Sequence, residues 1–208
     1  MVCKRLTPLV ITASHVLDYV VRQFGAQRKT ENNAEISDYA LRLYQVLPGP
    51  VYRIWNVYNA WTCPTDIAIL HVGLWRTSLS EETIPWKVPR LRALPPPIGQ
   101  KVIAFGYRES KVLVTADAEG THHIEVNDKP TITIGEIKQI YTSGRDSVLL
   151  PFPCYEVEAR FDAGMSGSMV IDENGALCGL VCASLSSSDP DMRPVSYVTN
   201  GVSLLQTN

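Results

Sequence analysis

A serine flanked by glycines lies late in the chain, in the segment Gly164-Met165-Ser166-Gly167-Ser168. Two apolar stretches joined by a turn follow it. Glycine lets a backbone fold tightly, so the amides of Gly164 and Ser166 can point at one spot beside the Ser166 hydroxyl. An oxyanion formed there, after the hydroxyl attacks a carbonyl, would be stabilised. A hairpin whose loop happens to contain Gly and Ser fits the same residues, since short glycine motifs are common.

A serine hydroxyl becomes a good nucleophile only when a neighbouring base takes its proton, and that base needs a third group to orient it. The chain offers one candidate for each position. His15 follows the apolar stretch Leu9-Val10-Ile11-Thr12-Ala13, which predicts a strand with a histidine at its end. Asp66 stands at the start of a second apolar stretch, Ile67-Ala68-Ile69-Leu70.

The three segments around His15, Asp66 and Ser166 resemble the His, Asp and Ser signatures of the chymotrypsin-fold serine peptidases. The order His, Asp, Ser matches that fold and differs from the Ser, Asp, His order of the α/β-hydrolases. The spacing also fits, with 51 residues from His15 to Asp66 and 100 from Asp66 to Ser166. Three motifs in the right order are much more specific than any one of them.

The resemblance covers the chain from Leu9 onward and is strongest to the bacterial trypsin-like peptidases of the high-temperature-requirement type. Their second barrel begins with a strand that resembles residues 99–107, Gly-Gln-Lys-Val-Ile-Ala-Phe-Gly-Tyr. Their next strand resembles residues 131–137, Thr-Ile-Thr-Ile-Gly-Glu-Ile.

This resemblance implies a role for each site residue. Ser166 would be the nucleophile, His15 the general base and then acid, and Asp66 the residue that fixes the imidazole tautomer. The amides of Gly164 and Ser166 would form the oxyanion hole. Met165 replaces the acidic residue with which trypsin-like zymogens capture a new N-terminus, so activation by that route is not expected.

The sequence motifs are less specific for the residues that would bind substrate. By analogy with the family, Arg160 would lie near the base of the primary specificity pocket, where its guanidinium could pair with an acidic side chain. The other reading of Arg160 is a side chain that points into solvent from a strand. Val181, Cys182 and Ala183 would form the backbone edge to which a substrate adds as an antiparallel strand.

Many short strands separated by turn signals predict an all-β chain, and the resemblance implies two six-stranded antiparallel β-barrels. We place the first half at residues 1–94, with His15 and Asp66, and the second at residues 95–208, with Ser166. Only 14 residues precede His15, where the family has two more strands, so we expect the first barrel to lack its N-terminal strands.

Local patterns give further expectations. Residues 16–24 predict a short helical turn with apolar side chains on one face, and the polar residues 25–33 predict a surface loop. Residues 101–107 and 112–116 predict two strands, as do residues 122–126 and 131–141. A last turn of helix is expected at residues 202–206.

Composition excludes several classes of function. The formal net charge of −2, without a basic block, gives no electrostatic footprint for nucleic acid. No apolar run is long enough to span a membrane. Adjacent histidines at 122 and 123 point to opposite faces of a strand, so we expect no metal site, and no motif calls for a cofactor. Five irregularly placed cysteines give no disulfide framework and favour a reducing, cytoplasmic location in a bacterium.

Two kinds of function remain open. The first is a serine endopeptidase that cleaves a protein or peptide substrate through His15, Asp66 and Ser166. The second is an inactive module of the same fold that binds peptides, because missing N-terminal strands would leave the three residues misaligned. A regulatory protein partner would fit a peptidase that acts as a sensor or effector in a bacterial system.

Overall fold

We describe the protein from a computed structural model, for residues 8–24, 27–30, 33–35, 41–47, 51–77, 89–92, 94–116, 122–185 and 193–201. These residues form two compact units, of which the first ends at Pro89 and the second begins at Arg90. Residues 202–206, where the sequence predicts a last helical turn, lie outside the described ranges. No helix within those ranges has the length and apolar character needed to cross a bilayer.

The described part of the first unit contains one helix, α1 (Ser14–Phe24), and an antiparallel sheet. Its strands are β1 (Leu9–Thr12), β2 (Gln27–Thr30), β3 (Asn33–Glu35), β4 (Arg42–Leu47), β5 (Val51–Thr62) and β6 (Ala68–Thr77). They pair in the order β1-β6-β5-β3-β2, and β4 also pairs with β5. The described strands therefore form a half-barrel sheet, in which one strand, β1, precedes His15.

The core of the first unit lies between α1 and the sheet. Leu17 and Val21, one helical turn apart, are buried against Trp55, Val57 and Leu70 of β5 and β6. Residues four apart lie on the same face of a helix, so this pair gives α1 the apolar stripe that holds it on the sheet.

The second unit is a closed six-stranded barrel in the order β10-β11-β12-β9-β8-β7, with β7 also paired to β10. Its strands are β7 (Lys101–Ala116), β8 (His122–Tyr141), β9 (Cys154–Glu158), β10 (Met169–Asp172), β11 (Leu177–Leu185) and β12 (Val195–Thr199). Closure gives every strand a partner on both sides over part of its length. Beyond Val181, the described residues pair β11 on one side only, with β12.

The barrel core follows from alternation along the strands. In β7, Val102 and Ala104 are completely buried, while Ile103 and Phe105, which alternate with them, are partly exposed. Successive strand residues point to opposite faces, so alternate residues fill the interior. Tyr155 and Val157 of β9 add to this interior, and both are completely buried.

The all-β class and its two-barrel organisation are confirmed by the closed barrel and the half-barrel sheet. The surface loop predicted for residues 25–33 is wrong, because Gln27–Thr30 and Asn33–Glu35 form the paired strands β2 and β3. Apart from Ala34, the residues of these strands are polar, so they show no apolar alternation that a sequence pattern could detect. The helix at residues 16–24 is longer than a turn, since α1 has 11 residues.

Two pairs of predicted strands are in fact single long strands. The polar break in β7 is a bulge, since the pairing register with β8 shifts between Arg108 and Lys111. In β8 the break falls at Pro130, which still pairs with Tyr107 across the ladder. The sequence patterns predict a strand end at each irregularity, whereas in the structure the strand continues through both.

The turn after β10 is organised by a buried carboxylate. One oxygen of Asp172 accepts hydrogen bonds from the amides of Asn174 at 2.8 Å and Ala176 at 2.9 Å. The other oxygen pairs with Arg92 Nη1 at 2.5 Å, and the Asp172 side chain is 2% exposed. Burial by itself raises the pKa of Asp172, but the Ala176 amide, Arg92 and the Asn174 amide together bring this pKa below its ordinary 3.8.

We expect Asp172→Asn to lower the free energy of unfolding at pH 7 by about 3 kcal/mol, because Arg92 loses the partner of a largely buried ion pair. The lowered pKa stabilises the fold above pH 3.8 and loses that effect as pH falls through the folded-state value. The difference in the free energy of unfolding between the native protein and the variant should therefore decrease as the pH falls below 3.8. Urea denaturation at several pH values measures it.

Glu173→Gln is the matched control, because Glu173 is an exposed carboxylate in the same turn. Its unfolding free energy should stay within about 0.5 kcal/mol of the native value. Equal effects of the two substitutions, or a gap that does not depend on pH, would contradict this role of Asp172.

Candidate active site

The sheet register of the first unit brings His15 and Asp66 together. Strand β6 is paired on one side with β1 and on the other with β5, and Ala68 is opposite both Thr12 and Thr62. His15 is the second residue of α1, three residues after the end of β1, and Asp66 lies in the turn from β5 to β6. Both residues therefore leave the sheet at the same end of β6.

One carboxylate makes two contacts with one residue. Asp66 Oδ1 accepts a hydrogen bond from the backbone amide of His15 at 2.9 Å, and Asp66 Oδ2 lies 2.7 Å from His15 Nδ1. The first contact satisfies an amide in the first turn of α1 that has no partner within the helix. The second fixes the plane of the imidazole. Asp66 is 10% exposed, whereas the His15 side chain is 47% exposed.

This environment changes the basicity of His15. The hydrogen bond with Asp66 raises the pKa of His15 above its ordinary 6.5, partial burial opposes that rise, and the charges of Asp66 and Asp18 add to it. With the Nδ1 proton donated to Asp66, the lone pair of the neutral ring is on Nε2. Within the described part of its own unit, Nε2 makes no hydrogen bond.

In the second unit, Ser166 lies in the second of two consecutive tight turns, which share Met165. The amide of Met165 donates to Asp162 O at 3.1 Å, and the amide of Ser168 donates to Met165 O at 2.9 Å. The third residue of each turn is a glycine at positive φ, 94° for Gly164 and 80° for Gly167. This is the position that a type II turn assigns to glycine. The two turns place Ser166 at the second position of the later one.

The turns separate the amides of this segment into two groups. The amides of Met165, Gly167 and Ser168 donate to backbone carbonyls. Within the described part of the second unit, the amides of Gly164 and Ser166 have no hydrogen-bond acceptor. These are the two amides that the sequence predicts as an oxyanion hole.

The Ser166 segment is anchored to the barrel from both sides. The Met165 side chain is completely buried in the barrel core. On β11, Val181 O accepts from the amide of Gly167 at 2.8 Å, and the Val181 amide donates to Ser168 O at 2.9 Å. Val181 thus uses both its backbone amide and its backbone carbonyl to hold the segment.

Arg160 points largely into solvent, since its side chain is 76% exposed, and its Nε lies 3.2 Å from Asp162 Oδ1. The other oxygen of Asp162 accepts from Arg108 Nη1 at 3.1 Å. The sequence analysis did not single out Asp162 or Arg108. They are 54 residues apart, and no sequence pattern connects them.

The structure thus brings His15 and Asp66 together in the first unit, and Gly164, Ser166 and Val181 together in the second. A family model described as a trypsin-like peptidase domain matches residues 2–180. The chain belongs to the trypsin-like peptidase family. A comparison with curated proteins found no match.

Solved structures agree with this family at the level of the fold. The Rv3671c protease of M. tuberculosis, in an inactive form, is 19% identical, with a TM-score of 0.50 over 96% of this chain and 77% of that chain. The MamO protease domain of Magnetospirillum magneticum, in the apo form, is 14% identical, with a TM-score of 0.50 over 96% of this chain and 82% of that chain. The predicted chymotrypsin-like fold is confirmed by these trypsin-like protease domains.

In this trypsin-like peptidase domain we expect the imidazole of His15 to titrate with a midpoint above 6.5, because Asp66 stabilises its charged form. Asp66→Asn should bring the midpoint down, since the largest favourable contribution is lost. NMR titration of the His15 ring, assigned by comparison with His15→Ala, measures both values.

Asp18→Asn is the control for this titration, because Asp18 acts on His15 only through its charge and contributes least to the raised pKa. It should lower the midpoint less than Asp66→Asn does. A native midpoint at or below 6.5 would show that the Asp66 contact is absent in solution.

Proposed function

We propose that the protein is a serine endopeptidase that hydrolyses peptide bonds through Ser166, His15 and Asp66. The observation that carries the proposal is the double contact of Asp66 with the amide and Nδ1 of His15. A carboxylate in that position fixes the tautomer that leaves Nε2 as the base and stabilises the imidazolium once it forms. Membership of the trypsin-like peptidase family supports the same class of reaction.

In the proposed acylation step, Ser166 Oγ attacks the carbonyl carbon of the scissile bond and gives its proton to His15 Nε2. The carbonyl π electrons move to oxygen, and the amides of Gly164 and Ser166 bind the resulting oxyanion. The intermediate then collapses, the C–N bond breaks, and the imidazolium gives its proton to the leaving amine. The products of this step are an acyl-enzyme and a free amine.

Deacylation repeats the sequence with water. His15 Nε2 takes a proton from water, the hydroxide oxygen attacks the ester carbon, and a second oxyanion forms beside the same two amides. Collapse breaks the bond to Ser166 Oγ, which recovers its proton from His15. The enzyme is regenerated and a carboxylic acid is released.

For substrate recognition we propose the backbone of Cys182 and Ala183, beyond the point where Val181 is bonded to the Ser166 segment. An extended peptide would pair there as an added antiparallel strand. Arg160 would give a weak preference for an acidic side chain, because Asp162 already lies beside its guanidinium.

A peptide-binding module without catalysis is the second candidate. The observation that favours it is the half-barrel sheet of the first unit, whose described strands do not close as those of the second unit do. An open sheet leaves strand edges unpaired and holds the residues at its ends less firmly. Binding of peptides without turnover would then use the same edge at Cys182 and Ala183.

The first test is labelling by a fluorescent fluorophosphonate. The probe forms a covalent bond with a serine whose proton is taken by a working base, so we expect the native protein to be labelled. Ser166→Ala and His15→Ala should each abolish the label, as seen by in-gel fluorescence, while their folds stay intact by circular dichroism.

The matched control is Ser168→Ala, which removes a neighbouring hydroxyl and keeps Ser166; its label should persist. A folded native protein that takes no label would overturn the endopeptidase proposal and support the binding module.

Turnover of a labelled peptide pool should depend on pH through His15. Because the base must be neutral, kcat/KM should rise with pH through the raised pKa of His15, with a midpoint above 6.5. Asp66→Asn should lower kcat on the order of 10⁴-fold, since the amide favours the wrong tautomer. Retention of most of the native kcat in this variant would contradict a catalytic role for Asp66.

A further inference from the structure

The turn that carries Gly164 rests directly on the backbone of β7. A Cβ atom placed on Gly164 would lie 3.2 Å from Tyr107 O, 3.7 Å from Arg108 Cα and 3.9 Å from Glu109 N. The position of the unpaired Gly164 amide therefore depends on the shape of β7 at residues 107–109.

That part of β7 is irregular. The register of the ladder with β8 shifts between Arg108 and Lys111, and Glu109 has a positive φ of 54°, although it is not a glycine. A bulge bends a strand and changes the direction of the side chains beside it. Here it presents Arg108 to the segment that contains Ser166.

Asp162 connects this bulge to the Gly164 turn. Its backbone carbonyl is the acceptor of the turn, from the Met165 amide at 3.1 Å. Its carboxylate accepts from Arg108 Nη1 at 3.1 Å and lies 3.2 Å from Arg160 Nε. Asp162, the first residue of the turn, is thus held through its side chain by Arg108 of β7.

The two arginines make different connections. Arg160 is two residues from Asp162 and 76% exposed, so its ion pair stays within one segment of chain. Arg108 is 54 residues away and 45% exposed, and its ion pair joins two separate elements. Only the second pair can fix the turn relative to the barrel wall.

We propose that Arg108 is a positioning residue for the oxyanion amide of Gly164 and that it acts through the carboxylate of Asp162. The catalytic part of this inference rests on the proposed endopeptidase function. Arg108 itself touches no reacting atom. Its effect is to keep the turn from Asp162 to Met165 closed against the bulge of β7.

The direct test is amide hydrogen exchange in the full chain, measured by NMR. Arg108→Ala should speed exchange of the Met165 amide about 5-fold, the upper range for a partly exposed ion pair, because the turn opens more often. Arg108→Lys should recover part of the protection. Arg160→Ala should leave the exchange of this amide within 2-fold of the native rate.

Lys111→Ala is the second control, because Lys111 is an exposed cation on the same strand beyond the bulge. It should change neither the exchange rate nor the denaturation midpoint. Unchanged Met165 exchange in Arg108→Ala, or equal increases in the Arg108 and Arg160 variants, would overturn the proposal.

The catalytic consequence has its own readout, namely inhibition by a peptide aldehyde, whose hemiacetal oxygen would occupy the oxyanion site. In Arg108→Ala we expect kcat to fall and the aldehyde Ki to rise about 5-fold each, with KM and the pH midpoint of His15 unchanged. A parallel rise of KM and Ki would assign Arg108 to ordinary substrate binding and overturn the positioning role.

The two proposals fail in different ways. Suppose that the native protein takes no fluorophosphonate label, but that the Met165 amide exchanges faster in Arg108→Ala. This result would reject the endopeptidase and support the contact of Arg108 with the turn. A labelled native protein whose Met165 exchange ignores Arg108 would support the endopeptidase and reject the role of Arg108.

Discussion

The geometry of the first unit depends on one carboxylate. Asp66 binds the backbone amide and the ring of His15 together, so the start of α1 and the imidazole are fixed by the same group. That contact in turn requires the register of β1 and β5 on β6, which places Thr12 and Thr62 opposite Ala68. A shift by one residue would turn every side chain of a strand to the other face of the sheet. The contact between Asp66 and His15 is therefore formed only when β1 and β5 pair with β6 in this register.

The second unit holds its candidate nucleophile by different means. Among the described residues of that unit, no charged side chain forms a hydrogen bond with Ser166. Two glycine turns and the buried side chain of Met165 set its place. Buried apolar side chains and backbone hydrogen bonds give rigid positions at every pH, whereas a histidine must remain free to gain and lose a proton. A charged group thus orients the candidate base, His15, and backbone geometry orients the candidate nucleophile, Ser166.

Much of this arrangement could be predicted from the sequence, for a physical reason. His15, Asp66 and Ser166 all follow or precede strands whose apolar character is strong, so local pattern and motif agree. Strands β2 and β3 could not be predicted, because all their residues except Ala34 are polar and their pairing uses the backbone. The contact of Arg108 with Asp162 was equally invisible, since it depends on a bulge that brings together residues far apart in the chain.

The role of Val181 also could not be predicted from the sequence. Its sequence position predicts a residue on the edge of a strand, but the sequence does not say what that edge meets. The structure has Gly167 and Ser168 there, so the backbone of Val181 is engaged by the Ser166 segment itself. A strand edge next to a tight turn is satisfied first by that turn, because the turn is covalently close and costs little further entropy to dock. For the proposed endopeptidase, this leaves the backbone farther along β11, at Cys182 and Ala183, as the proposed place where a peptide pairs.

The ion pairs around Asp162 differ in kind from the one at Asp172. Asp172 is 2% exposed and its loss leaves a charge without a partner, so it supports the fold itself. Asp162 is 25% exposed and its partners reach into solvent, so its pairs are screened by salt and contribute little to global stability. An interaction of that size cannot hold a barrel together, but it can decide between two positions of one turn. The barrel core supplies the stability of the fold. In our proposal, the ion pair of Arg108 with Asp162 sets only the position of the Gly164 amide.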